Sequence, residues 1–136
     1  MPDTFQLEIV TPSRLLVNDA AEEAQIPGLS GYLGILPGHA PLLTELGVGA
    51  ITYKANGASH TLALAWGFAE VLPDKVTILA EAAERPQEID VARAQAAKAR
   101  AEALLKSNDL KVEVDYARAE DALQRAETRL SVAKEK

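Results

Sequence analysis

The distribution of glycine and proline constrains this chain more than any other feature. All 8 Gly and all 7 Pro lie at or before Pro86, and residues 87 to 136 contain neither. Glycine and proline punctuate turns and interrupt helices. The first part therefore reads as short elements joined by turns and the second as helical, with a domain boundary between residues 1–86 and residues 87–136. Charge divides at the same place, with 4 basic and 10 acidic side chains before the boundary and 10 of each after it. Phe5, Tyr32, Tyr53, Trp66 and Phe68 fall in the first part, and only Tyr116 in the second.

Several functional classes drop out at once. No run approaches the ~18 consecutive apolar residues of a membrane span, and the N-terminus lacks a basic segment followed by an apolar one. The chain is expected in the cytosol or peripheral to a membrane from its cytosolic side. Zero cysteines and two histidines, His39 and His60, exclude thiol catalysis, iron–sulfur clusters and Cys-ligated zinc. A net charge of −6 makes a poor nucleic-acid binder.

Residues 1–86 carry the period of half-buried strands. Phe5, Leu7 and Ile9 alternate with Gln6, Glu8 and Val10, as one buried sheet face requires. Asn56-Gly57, between two apolar runs, marks a tight hairpin because both residues tolerate positive φ. Pro73-Asp74-Lys75 separates Phe68–Leu72 from Val76–Leu79. Turn signals at this spacing indicate an all-β sandwich or barrel.

Residues 88 to 134 read as two helices with a break at Ser107-Asn108-Asp109. In the second, Ala119, Ala122, Leu123, Ala126, Leu130 and Ala133 form one apolar stripe at three- and four-residue steps. The first is alanine-rich on every side and has no sharp stripe. A seam built from Ala buries little, since each CH₂ removed from water is worth ~0.8 kcal/mol. Sound helices with a weak seam describe a movable element.

Two clusters could carry chemistry. The glycines of Gly28 to Gly38 lack the Gly-Lys-Ser/Thr of a phosphate loop, and Pro37 and Pro41 prevent a following helix, so this stretch reads as a sheet corner. His39, within it, reads as a loop histidine bonded to backbone. Neither histidine has a nucleophile partner in the sequence, which leaves no hydrolase set. The second cluster is Asp90, Arg93 and Arg100 in one arc of the first helix, with Arg118, Arg125 and Arg129 aligned on the second. Two readings stand. The arginines converge on an anionic ligand, for which the guanidinium fork is suited, or Asp90 is an N-cap and the arginines pair with Glu120, Asp121 and Glu127 or face solvent.

Three runs carry a family resemblance across the whole chain: Gly31-Tyr32-Leu33-Gly34-Ile35-Leu36-Pro37-Gly38-His39-Ala40-Pro41-Leu42-Leu43-Thr44, then Trp66-Gly67-Phe68-Ala69-Glu70-Val71, then Ile89-Asp90-Val91-Ala92-Arg93-Ala94. The chain resembles the epsilon subunits of bacterial F-type ATP synthases. The resemblance implies an N-terminal ten-stranded β-sandwich followed by a C-terminal antiparallel two-helix hairpin. It implies a non-catalytic, metal-free subunit of the rotary central stalk, peripheral to the cytoplasmic face of the inner membrane, that couples proton flow to ATP synthesis. Its implied partners are the gamma subunit and c-ring, through residues 1–86, and the alpha and beta subunits, through the hairpin, with membrane contact only through the complex. Ser30, Gly31, Tyr32, His39, Pro41 and Leu42 are implied to face the c-ring, Tyr32 standing where some relatives have a carboxylate. Arg118, Arg125 and Arg129 are implied to meet the catalytic head and stop hydrolysis. No cofactor is required; ATP is implied as a regulatory ligand of Glu84, Ile89, Asp90, Arg93, Ala94, Arg100, Arg125 and Arg129. A free-standing nucleotide-responsive binding module is the alternative.

Overall fold

The computed structural model describes residues 3–107 and 115–135. Seven strands, β1 (Phe5–Val10), β2 (Leu15–Ala21), β3 (Glu23–Gly28), β4 (Gly31–Ile35), β5 (Leu42–Ala55), β6 (Ala58–Val71) and β7 (Lys75–Glu84), precede two helices, α1 (Val91–Leu105) and α2 (Tyr116–Ala133). The strands form one sheet in the order β2-β1-β7-β6-β5-β3-β4. The sheet folds over on itself. Glu22 N donates to Lys54 O at 2.8 Å and Tyr53 Oη to Asp19 Oδ2 at 2.6 Å, which brings β2 to β5 and makes a sandwich around one core. Phe5, Leu7, Ile9, Ile26, Ile35, Leu46, Ile51, Tyr53, Leu62, Leu64 and Ile78 fill it.

The alternation read in β1 holds, with Phe5, Leu7 and Ile9 buried. The Asn56-Gly57 turn joins β5 to β6 with φ of 54° and 75°, the positive pair a two-residue hairpin needs.

The strand count differs from ten, and the reason lies in the middle of the sheet. Leu62 and Leu64 of β6 point into the core, but beyond Trp66-Gly67 the inward residues are Ala69 and Val71. In β7 the inward set passes from Val76, Ile78 and Ala80 to Ala83, and in β5 from Leu46 to Ile51, Tyr53 and Ala55. Inward positions change between even and odd numbers at one level of three neighbouring strands. Pairing keeps the same register on both sides of that level, and only the Gly47/Trp66 and Trp66/Glu81 partners are missing. By hydrogen bonding there are seven strands; the reversal divides three of them, which makes ten segments.

Trp66 takes φ 60° and Gly67 φ 152° at this reversal. A Cβ on Gly67 would sit 2.1 Å from the Leu79 carbonyl oxygen, so both the backbone angle and the close approach of β7 demand glycine.

The linker leaves β7 through a single 3₁₀ turn, Pro86–Glu88. Asp90 and Asp115 cap the helices, their Oδ1 atoms accepting from Arg93 N and Arg118 N, each at 3.1 Å. The break placed at Ser107-Asn108-Asp109 falls, beyond Ser107, outside the described residues. The helices pack on each other, and α2 lies on the outer face of β5 and β6. Ile89, Val132 and Ala133 meet Ala63 there, with Ala50 and Val91 beside them. Gln124 Nε2 also donates to Val48 O at 3.3 Å. Of the stripe read on α2, Ala119, Ala126 and Ala133 are buried, while Ala122, Leu123 and Leu130 are half-buried. Val132, outside the stripe, is buried too. Helix α2 touches both α1 and the sheet, so its buried arc is wider than one stripe.

Candidate functional site: an arginine groove between the helices

Arg118, Arg125 and Arg129 are separated by seven and four residues, which places them in one row along α2. Across from them α1 contributes Arg100. The four guanidinium groups line a groove of about 460 Å³ whose floor is made of Ala97, Ala101, Leu104, Ala119, Ala122 and Ala126, with Asp115 at one end. Alanine at five of the six floor positions leaves room between the helices, with Leu104 the one large side chain among them.

At the other end Arg129 Nε donates to Glu84 Oε1 at 2.6 Å, tying the row to the last residue of β7. Arg125 and Arg129 also border the contact of α2 with Ala63, Ala65 and Ala82. Among the described residues, Arg100, Arg118 and Arg125 have no carboxylate within 4.0 Å. The pairing with Glu120, Asp121 and Glu127 that would explain them as a neutralised surface is not formed. Unpaired cations facing one concavity attract an anion, and planar forks favour phosphate or carboxylate.

The structure separates the other members of that set. Asp90 spends a carboxylate oxygen on the α1 cap. Arg93 is exposed and does not line the groove. Ile89 and Ala94 are buried, Ile89 in the seam between hairpin and sheet. Glu84, Arg100, Arg125 and Arg129 are therefore brought together, and Arg118 joins them. No group of three His, Asp or Glu placed to hold a metal occurs among the described residues.

The glycine- and proline-rich turns are held by different neighbours. Leu29 and Ser30 form the exposed β3–β4 turn and Gly31 opens β4, and the Tyr32 hydroxyl accepts from Ala50 N at 3.0 Å, leaving the residue 59% exposed. The turn before β5 is fixed by Gly38 N donating to Pro73 O at 2.8 Å. His39 Nδ1 lies 2.7 Å from Ala40 O; a carbonyl can only accept, so Nδ1 carries the proton. Pro41 and Leu42 are exposed beside it.

Sequence reading missed an apolar row on the outer sheet face. Leu15 pairs with Val10, Val10 with Leu79, and Leu79 with Phe68, across β2, β1, β7 and β6. Leu15, Leu79 and Phe68 are each more than half exposed, and Trp66, Pro12, Glu45 and Glu81 border a groove of about 540 Å³ along them. Only strand register assembles this row, although outward-pointing Phe68 and Leu79 were a signal.

Two titrating groups lie where the linker crosses the sandwich. Burial first, and then the hydrogen bond that the Tyr53 hydroxyl donates to the Asp19 carboxylate, push Tyr53 up to about 12. The Arg85 backbone N–H, and then the Arg14 guanidinium, hold Glu88 below the usual glutamate value. Arg85 N donates to Glu88 Oε1 at 2.9 Å, Arg85 Nη2 to Leu16 O at 2.7 Å, and Arg14 Nη2 to Glu88 Oε2.

Two family descriptions match in succession: ATP synthase delta/epsilon chain, beta-sandwich domain, over residues 4–86, and ATP synthase delta/epsilon chain, long alpha-helix domain, over residues 87–134. The chain is 70% identical over 108 residues to an ATP synthase epsilon chain of Koribacter versatilis, covering 79% of this chain and 76% of that one. It is 51% identical over 102 residues to one of Solibacter usitatus, covering 75% and 76%. A chain in the cryo-EM structure of the Euglena gracilis mitochondrial ATP synthase, OSCP/F1/c-ring in rotational state 1, shares the fold with a TM-score of 0.81 at 24% identity, covering 98% of this chain and 83% of that chain. With the sandwich, the hairpin and both family matches in agreement, the chain belongs to the ATP synthase delta/epsilon family as one of its epsilon chains, non-catalytic subunits of the synthase.

Proposed function

We propose that this chain is a rotor component whose hairpin is a nucleotide-controlled brake on ATP hydrolysis. The observation that carries the proposal is the row of arginines lining one groove with three of them unpaired among the described residues. In the folded-down hairpin Arg100, Arg125 and Arg129 hold the phosphates of ATP, and Glu84 orients Arg129. When the hairpin lifts off, Arg118, Arg125 and Arg129 face an acidic segment of the catalytic head and stop hydrolysis. The same guanidinium groups cannot serve both states, so ATP favours the folded one and relieves inhibition, to an extent set by its differential affinity.

The sandwich supplies the fixed end. Its apolar row, rimmed by Glu45 and Glu81, suits a partner with apolar side chains inside a basic border, and we assign it to the gamma subunit. The exposed turns at Ser30, Gly31 and Tyr32 and at His39, Pro41 and Leu42 are assigned to the c-ring, which places the subunit at the cytoplasmic membrane face through the complex.

The test is ATP hydrolysis by the reconstituted head with the full chain, with Arg118→Glu/Arg125→Glu, and with a chain ending at Glu88. Slow hydrolysis with the full chain, relieved by ATP and absent in both variants, is expected. Equal rates in all three would remove the brake. In a calorimetric titration Arg129→Ala should weaken ATP binding by ~1.5–3 kcal/mol, the range for hydrogen bonds to charged groups.

A further inference from the structure

The groove is longer than a nucleotide's phosphates need. From Arg118 to Arg129 is eleven residues, about 16 Å or three turns along α2. Arg125 and Arg129 stand one turn, about 6 Å, apart along the axis, a span that one triphosphate covers, and Arg129 is held there by Glu84. Arg118 stands two further turns away on the same row, exposed and without a carboxylate within 4.0 Å among the described residues. Between these ends Arg100 reaches in from α1 over a floor of alanines. The charge is thus spread along a line rather than gathered at a point.

Resting on the reading of this groove as a phosphate site, we propose that it binds a linear polyphosphate chain longer than a triphosphate, with Arg118 as the contact that recognises the added length. A chain carrying charge on every unit engages arginines at unequal spacings of seven and four residues without having to match them. An acidic peptide would need carboxylates at those spacings and backbone bulk over a narrow alanine floor. The Asp115 carboxylate at the Arg118 end accepts from Arg118 N and is committed to the helix cap, so it opposes a passing phosphate less than a free carboxylate would. Polyphosphate and ATP share the Arg125–Arg129 end and therefore compete.

Calorimetric titration of the full chain with ATP, inorganic tripolyphosphate and a size-fractionated polyphosphate several times that length tests this, with Arg118→Gln and Arg129→Gln beside the wild type. A longer chain also offers more registers, a statistical gain that Arg118→Gln retains. The discriminating quantity is therefore how far that variant reduces the gain. Arg118→Gln is expected to lower long-chain affinity about tenfold, the loss of one charge-assisted contact, while leaving ATP and tripolyphosphate unchanged. Arg129→Gln is expected to weaken all three. If ATP binds but Arg118→Gln leaves the long chain unaffected, or weakens tripolyphosphate equally, the extended site is overturned and the nucleotide reading stands. If an oligoglutamate of equal charge competes as well as polyphosphate, the site reads charge alone and the proposal fails. If none of the phosphates binds, both readings fall together.

Discussion

The two hydrophobic seams of this molecule are built from different materials. Inside the sandwich, Phe5, Leu7, Ile9, Ile26, Ile35, Ile51, Tyr53, Leu62 and Ile78 are each 2% exposed or less. Where the hairpin meets the sheet, Ile89 and Val132 are the large contributors and the rest is Ala63, Ala133 and their half-buried neighbours; between the helices the buried residues are Ala94, Ala101, Ala119 and Ala126. Fully burying a large aliphatic side chain contributes ~1.5–3 kcal/mol and a methyl group far less. The sandwich is thus the more firmly packed base, and the hairpin an arm docked on it through a smaller apolar seam. The arginine groove lies on the arm, so a ligand held there would act where the structure is weakest.

The largest effect that would sharpen this contrast comes from Gly67→Ala. The new Cβ would meet the Leu79 carbonyl oxygen at 2.1 Å with φ at 152°, and neither backbone can yield without breaking the β6–β7 ladder. Strain and overpacking together should cost about 4 kcal/mol. Thermal unfolding checks it, and a melting temperature within a degree or two of wild type would show that the face reversal is not rigid.

Next is a matched pair. Ile78→Ala in the sandwich should cost about 3 kcal/mol of global stability. Val132→Ala in the hairpin seam should cost about 1–2 kcal/mol, read as faster amide exchange in α1 and α2 with the strands unaltered. Loss of protection in β5 and β6 together with the helices would mean that base and arm unfold as one unit, and the comparison would break.

How much of this was legible in the sequence follows from the range over which each signal acts. Asn56-Gly57, the β1 alternation and the caps at Asp90 and Asp115 are decided by neighbours in sequence; the turn and the alternation read off directly, the Asp90 cap stands as one of two readings, and the Asp115 cap goes unread. The face reversal at Trp66-Gly67 depends on β5, β6 and β7 changing together, which no single strand's period reveals. Arg118, Arg125 and Arg129 could be aligned from helix geometry, and Arg100 from its own helix. That these four share a groove, while Arg93 does not, depends on how α1 rotates against α2. Val132 escaped the stripe because the second surface it meets is the sheet.

Tyr53→Phe probes how the base is closed. The hydroxyl donates to Asp19 at 2.6 Å across the fold of the sheet, and Asp19, half-buried, can rehydrate when the bond is lost. A cost of about 1 kcal/mol is expected. The folded tyrosine's pKa is raised to about 12 from 10, so between these values the folded state holds a proton that the unfolded state has released. Its contribution is complete below pH 10 and declines as pH rises toward 12. Phe should remove that part of the alkaline decline, as denaturant titrations at pH 9 and 11 would show; an unchanged pH slope would place its origin elsewhere.

The smallest effect lies at the joint between base and arm, where Arg14 on the β1–β2 turn meets Glu88 in the linker. The side chains are 48% and 33% exposed, and pairs this open to water contribute at most a few tenths of a kcal/mol after screening. Glu88 is held low first by the Arg85 backbone N–H and only second by Arg14. Arg14→Ala should therefore raise the Glu88 pKa only partway towards its ordinary value, and carboxyl-carbon NMR titration measures the rise directly. Because the folded pKa is depressed, the Glu88 contribution is present above the unfolded value of about 4.3 and is lost as pH falls through the folded one. Arg14→Ala should narrow that acid window from below and leave stability at pH 7 nearly untouched, with 1 M salt acting like the substitution in the wild type. A loss above about 1 kcal/mol at neutral pH would mean that the ion pair anchors the linker more firmly than water-screened charges allow, and that the arm is joined to the base more tightly than its alanine seam indicates.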